Sequence, residues 1–71
     1  MLTERESEVA ALVGQGLSNK AVAHRLGIGE GTVKLHLHNI YRKLSIKKRF
    51  QLVLRHMSTS NNYAPKTRRV G

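Results

Sequence analysis

Seventy-one residues allow one small domain, and with no cysteine among them that domain has neither a disulfide framework nor thiolate metal ligands to hold it together. Thirteen Lys and Arg stand against four Asp and Glu, a formal net charge of +9, and a balance this lopsided points to a polyanionic partner, nucleic acid first and an anionic membrane second. No apolar run approaches the ~20 residues of a membrane span and the N-terminus lacks the basic and apolar regions of a signal peptide, so a soluble, intracellular chain is expected.

Thr3-Glu4-Arg5-Glu6 reads as a capping box, in which the Thr3 hydroxyl accepts from the Glu6 amide and the Glu6 carboxylate reaches back. Glu4, Glu6 and Glu8 complement the positive end of the helix dipole and are read as helix-start electrostatics rather than catalytic carboxylates. From Val9 onward only Glu30 is negative. Val9, Leu12 and Val13 form the core stripe of this first helix, and Gly14 and Gly16 end it, one of them in the left-handed cap position. Ser18 is the next N-cap, opening a short helix Asn19–Leu26 with Val22, Ala23 and Leu26 inward and Gly27 as its closing glycine.

A long helix follows over 30–44. Val33, Leu37, Ile40, Tyr41 and Leu44 recur at the spacing of one helical face, the face a core would cover. On the opposite arc lie Gly31, Leu35, His38 and Arg42, with Thr32 and Asn39 beside them and Lys34 and His36 on the flanks. That arc combines cations, amides, a hydroxyl and one leucine, and its one carboxylate is Glu30 at the very start. Gly29 is a weak N-cap, and Gly31 in the first turn costs about 1 kcal/mol against alanine. Either it allows close approach of the backbone to a ligand or it is simply tolerated.

The two helices carry a helix-turn-helix signature. Ala23 is small where the helices cross, Gly27 four residues on tolerates a positive φ in the turn, and Val33 packs the second helix back on the first. An αα-hairpin without a DNA role is the plainer alternative. Ser45-Ile46 closes the long helix, and Lys47–Met57 reads as a fourth helix with Phe50, Val53, Leu54 and Met57 in one apolar stripe and Leu52 off to its side. So much apolar surface means either an unusually well-wrapped core or a partner surface. The stretch 58–71 has no periodicity, holds the one proline and reads as a disordered basic tail behind a domain of residues 1–57.

Leu2-Thr3-Glu4-Arg5-Glu6, Gly16-Leu17-Ser18-Asn19-Lys20, Thr32-Val33-Lys34-Leu35-His36 and Asn39-Ile40-Tyr41-Arg42-Lys43-Leu44 closely resemble the LuxR/FixJ-type (GerE-like) helix-turn-helix domain. The resemblance covers residues 2 to about 57 and implies an all-α, compact four-helix DNA-binding domain of a bacterial transcription regulator in the cytoplasm, at the nucleoid. It implies base contacts in the major groove from Lys34, Leu35 and His38, and phosphate contacts from Ser18, Asn19, Lys20, Thr32, Arg42 and Lys43. It also implies a dimer interface on the fourth helix through Phe50 and Leu54. The expected partners are double-stranded DNA and a second copy of the chain on DNA, with RNA polymerase as a further one. With no receiver or ligand-binding domain before Leu2, the chain is expected to be a response regulator's output domain or a stand-alone short regulator. Gly29 stands where the family commonly has serine, and Ser45 where it commonly has glycine.

Two rival readings remain within reach of the residues. A sigma-factor region 4-like promoter-binding module shares the first three helices, but it has no need of the Phe50 and Leu54 patch. A basic helical module on an anionic membrane or a protein partner would set Lys and Arg opposite bulky apolar residues on the long helix, whereas here the core consumes that apolar face. No membrane partner is therefore expected. An enzyme is not expected either: His24, His36, His38 and His56 lack neighbouring carboxylates, and His36 and His38 point to different sides of a helix, whereas a metal site would want i, i+4 spacing. No cofactor and no metal follow from the sequence. His24 and His56 are read as surface residues and His36 as a packing or phosphate-side residue.

Overall fold

Three helices of this chain end in the same way. In the computed structural model, which describes residues 1–60, the elements are α1 (Glu4–Gly14), α2 (Asn19–Leu26), α3 (Glu30–Leu44) and α4 (Phe50–Ser60). Behind α1, the Leu17 N–H donates to the Leu12 carbonyl and the Gly16 N–H to that of Val13. Ile28 and Gly27 repeat this pair of bonds on Ala23 and His24, and Ile46 and Ser45 repeat it on Tyr41 and Arg42. These are Schellman motifs, and each needs a left-handed residue followed by an apolar one. Gly16 (φ 100°), Gly27 (φ 69°) and Ser45 (φ 56°) are the left-handed residues. Leu17, Ile28 and Ile46 then turn onto the core. Ser45 holds this conformation despite its Cβ, at a cost of about 1 kcal/mol.

The helix starts are as regular. Thr3 and Ser18 are extended N-caps whose side chains accept from the Glu6 and Ala21 amides, and the Thr3–Glu6 capping box is complete. Gly29 has the same extended backbone with no side chain to cap α3. Among the described residues the chain adopts the expected all-α, four-helix architecture. α1 packs against each of the other three helices, and α3 packs against α1 and α2. Val9, Val13, Val22, Ala23, Val33, Leu37, Ile40 and Leu52 make the core, and Ala23 and Val33 are buried as the helix-turn-helix signature requires.

The fourth helix departs from expectation in its bounds and in the place of Leu52. It starts at Phe50 rather than Lys47, because the Lys47 and Lys48 amides, which precede the helix, are capped by the Oε1 of Gln51 in its first turn, each at 2.8 Å. It runs to Ser60 rather than Met57. Leu52, expected off to the side, is its core residue at 2% exposure, and the stripe of Phe50, Leu54 and Met57 faces away from α1 with more than half of each side chain exposed. Val53 is half-buried at the margin. His56, expected on the surface, is half-buried with its Cβ against Gly14. Gly14 is accordingly a helical packing residue and not the cap, which is Gly16. Of the basic tail expected over 58–71, residues 61–71 lie outside the described residues.

One ion pair ties α1 to α3. Glu6 is buried, and its Oε1 accepts from the Thr3 N–H at 2.9 Å and from Lys43 Nζ at 2.8 Å. The Lys43 ammonium, then the Thr3 amide, hold the Glu6 carboxyl below the usual carboxylate value, against the opposing effect of burial. With the folded-state pKa depressed, the unfolded chain binds the proton more readily. The pair's contribution to stability is therefore full above the ordinary glutamate value of about 4.3 and is lost as pH falls through the lowered folded value. Glu6→Gln is expected to melt below wild type at pH 7, with the gap closing in acid below about pH 4. Thermal unfolding of both proteins from pH 7 to pH 3 checks this; a gap that stays constant would deny the pair any part in acid sensitivity.

Candidate nucleic-acid interface

The two arcs of α3 separate cleanly. Val33, Leu37 and Ile40 are buried, with Tyr41 and Leu44 half-buried behind them. Opposite, Gly31, Thr32, Lys34, Leu35, His38 and Arg42 are exposed, and His36 and Asn39 are half-buried at the margins. Leu35 keeps 59% of its surface in water, outside the core cluster. Leu35, His38 and Arg42 fall within an arc of roughly 60°, with Lys34 at its edge. Arg42 Nη2 donates to Asn39 Oδ1 at 3.2 Å, so that guanidinium lies along the outward face.

The start of α2 supplies the second part. The Ser18 Oγ accepts from the Ala21 N–H at 3.1 Å. The amides of Asn19 and Lys20 stand at the helix N-terminus, where backbone donors and the dipole favour an anion. Lys20 is exposed, and neither Lys20 nor Lys34 takes part in an ion pair among the described residues. Two of the four acids are engaged elsewhere. Glu8 pairs with Arg5 at 3.1 Å on the exposed side of α1, and Glu6 pairs with Lys43. The outward face of α3 thus keeps its positive potential.

Lys43 is the expected site residue that the fold draws away from this face. Its ammonium is held by Glu6 between α1 and α3, a partner thirty-seven residues off that local spacing could not reveal. Arg49 is the residue that sequence reasoning missed. It looks like the end of a solvated run with Lys47 and Lys48, yet its guanidinium donates to Asn19 Oδ1 at 2.7 Å and to the Leu17 carbonyl at 3.0 Å. Nothing in the periodicity of the chain signals a contact thirty residues away.

Gly31 has no atom within 4 Å of where a Cβ would stand, so nothing inside the chain requires a glycine there. Gly31→Ala should stabilise the domain by about 1 kcal/mol, a rise in Tm of roughly 4–8 °C for a domain of this size. Binding then separates the two readings of this residue. If the backbone meets DNA closely at Gly31, the more stable variant binds its site more weakly; if glycine is only tolerated, affinity is unchanged.

Among the described residues no cluster of three or more His, Cys, Asp or Glu could hold a metal ion, and no helix is long and apolar enough to cross a membrane. Residues 1–56 match the GerE family, the luxR family of bacterial regulatory proteins. The chain is 53% identical over 53 residues to the transcriptional regulatory protein LnrK of Bacillus subtilis, covering 75% of this chain and 24% of LnrK. It is 51% identical over 49 residues to the nitrate/nitrite response regulator protein NarP of Escherichia coli, covering 69% of this chain and 23% of NarP. A putative HTH-type transcriptional regulator of Aeromonas salmonicida is 48% identical over 62 residues, covering 83% of this chain and 32% of that protein. The chain thus spans 23% to 32% of the length of these relatives.

Proposed function

We propose, from the premise that this chain belongs to the luxR family of bacterial regulatory proteins, that α3 enters the major groove with Lys34, Leu35 and His38 against the bases. The chain is a helix-turn-helix DNA-binding domain for transcription regulation, and the family is regulatory rather than catalytic. The observation that carries the groove assignment is the exposed arc around Leu35, whose one carboxylate is Glu30 at the helix start, set directly opposite the buried Val33–Leu37–Ile40 arc. A bare leucine between a lysine and a histidine suits a thymine methyl flanked by acceptor edges. Ser18, Asn19, Lys20, Thr32 and Arg42 are assigned to phosphates, with the α2 N-terminus as the anchor. Lys43 joins them only if a phosphate displaces Glu6.

Membership of this family sets aside the sigma-type module. The membrane rival lacks its apolar face, which α3 has buried in the core. By analogy with relatives whose names describe response regulators, we assign the domain to the output end of such a regulator, acting in the cytoplasm and with RNA polymerase as a further partner. Selection of bound sequences from random duplexes tests the function itself. An enriched motif is expected, with affinity that falls as salt rises by a log–log slope of about −0.9 per phosphate contacted. No enriched motif, or a slope near zero, would sink the assignment.

The outward face of α4 supports pairing of two domains on adjacent half-sites. Phe50, Leu54 and Met57 form an exposed apolar stripe, and a shallow groove lined by Ile46, Gln51, Leu54, Arg55 and Ser58 runs beside it. The patch is small, which favours a monomer in solution that dimerises on DNA. Leu54→Asp should remove cooperative binding to a two-half-site duplex and leave binding to a single half-site within about twofold, since the side chain lies outside the core. Equal loss on both duplexes would refute the interface.

A further inference from the structure

Arg49 precedes α4, yet its guanidinium reaches across to the start of α2, and both acceptors it finds there belong to the turn that opens that helix. A guanidinium carries five donors and no acceptor, so the branch of the Asn19 amide that faces it must be the oxygen. The NH₂ branch is then fixed in the same amide plane on the opposite side of Cγ, with its donors uncommitted to Arg49. The backbone beneath is pinned as well. The Leu17 N–H is bound to Leu12, the Leu17 carbonyl to Arg49, and Ser18 caps Ala21.

We infer that Arg49 is a positioning residue for the DNA backbone contact: by holding Oδ1 of Asn19 it presents the Asn19 NH₂ to a phosphate oxygen at the α2 N-terminus. The inference rests on the assignment of that N-terminus to a phosphate. An asparagine left to itself turns either branch outward, and the oxygen branch would meet a phosphate as one acceptor against another. The clasp removes that unproductive orientation before DNA arrives, and preorganisation of this kind appears as affinity. A lysine could not replace it, because one ammonium on a flexible stem lacks the planar fork that spans Asn19 Oδ1 and the Leu17 carbonyl together. The same clasp joins the segment that leads into the exposed α4 stripe to the anchor on DNA, since Phe50 is the next residue.

A double-mutant cycle on DNA affinity tests this, using the whole chain and the duplex enriched by selection. Wild type, Arg49→Met, Asn19→Ala and the double variant are titrated below their melting temperatures. Each single change should weaken binding about fivefold to tenfold, and the double variant should bind no more weakly than Asn19→Ala alone. If Arg49→Met costs the same factor with or without Asn19, then Arg49 contacts phosphate itself or merely supports the fold, and the inference falls while the phosphate assignment stands. If Asn19→Ala leaves affinity unchanged, the assignment of the α2 start falls, and the inference with it. Should Arg49→Met fail to fold, Arg49→Lys keeps the charge without the fork and is expected to show the same dependence on Asn19. An undiminished affinity in Arg49→Lys would overturn the positioning role.

Discussion

Gly14→Ala is expected to destabilise the domain by about 1–2 kcal/mol, although the same change at an exposed position inside a helix stabilises by about 1 kcal/mol. The reversal comes from α4. A Cβ on Gly14 would stand 2.6 Å from the His56 Cβ, 3.0 Å from its Cγ and 3.2 Å from the Leu52 carbonyl oxygen. None of these is the far end of a flexible side chain, so relief requires α4 to move off α1. Leu52 sits in this contact and is the core residue that α4 contributes, so the displacement loosens the core as well. Thermal unfolding should show Tm falling by roughly 4–8 °C per kcal/mol. A Tm that rises would mean that α4 yields without cost. The variant should also shift the α4 stripe, and cooperative binding on paired half-sites should weaken with it.

Lys34→Ala is expected to cost about 1–3 kcal/mol on the selected site and to relax preference at one base position. Lys34 is exposed on α3, makes no ion pair among the described residues and stands next to Leu35 at the edge of the outward arc, where its ammonium suits guanine O6 or N7. Repeating the selection with the variant is the decisive measurement. If Lys34 contacts only phosphate, affinity drops by a similar factor on every sequence, the motif is unchanged and the salt slope falls by about one unit.

Much of this architecture can be read directly from the residues, for local reasons. The capping box at Thr3, the cap at Ser18 and the glycine–apolar pairs Gly16-Leu17 and Gly27-Ile28 each act within one turn of chain, so their spacing suffices. The two arcs of α3 were legible because one is wholly apolar and the other is not. On α4 that contrast fails. Four apolar residues share one arc and Leu52 stands apart from it, so periodicity alone leaves open whether the larger set is core or partner surface. The fold exposes the larger set, because the face of α4 that meets α1 is the one carrying Leu52 and His56, with His56 against Gly14. Contacts between distant residues were beyond reach for a different reason. Lys43 with Glu6 and Arg49 with Asn19 are pairings across the fold, and each basic member stands next to other cations with no acid near it in sequence to suggest a partner. The start of α4 was misplaced because a side chain inside the helix, Gln51, caps the amides that precede it.

Glu4, Glu6 and Glu8 are confined to α1, where they meet the helix dipole and Glu6 pairs with Lys43. This confinement has a further effect while the protein is still in solution. α1 lies on the buried side of α3, behind the face assigned to the groove, and it carries three of the four acids in the chain. Lys20, Lys34 and Arg42 are on α2 and the outward face of α3. Arg5 and Lys43 offset Glu8 and Glu6 within ion pairs, so what remains is a modest asymmetry of charge rather than an acidic face. If α3 is the face that meets DNA, as proposed, net charge would draw the molecule in and this asymmetry would turn α3 toward the phosphates on the way. A larger fraction of encounters then arrives face-first, which raises the association rate at low ionic strength without adding a single contact to the bound complex.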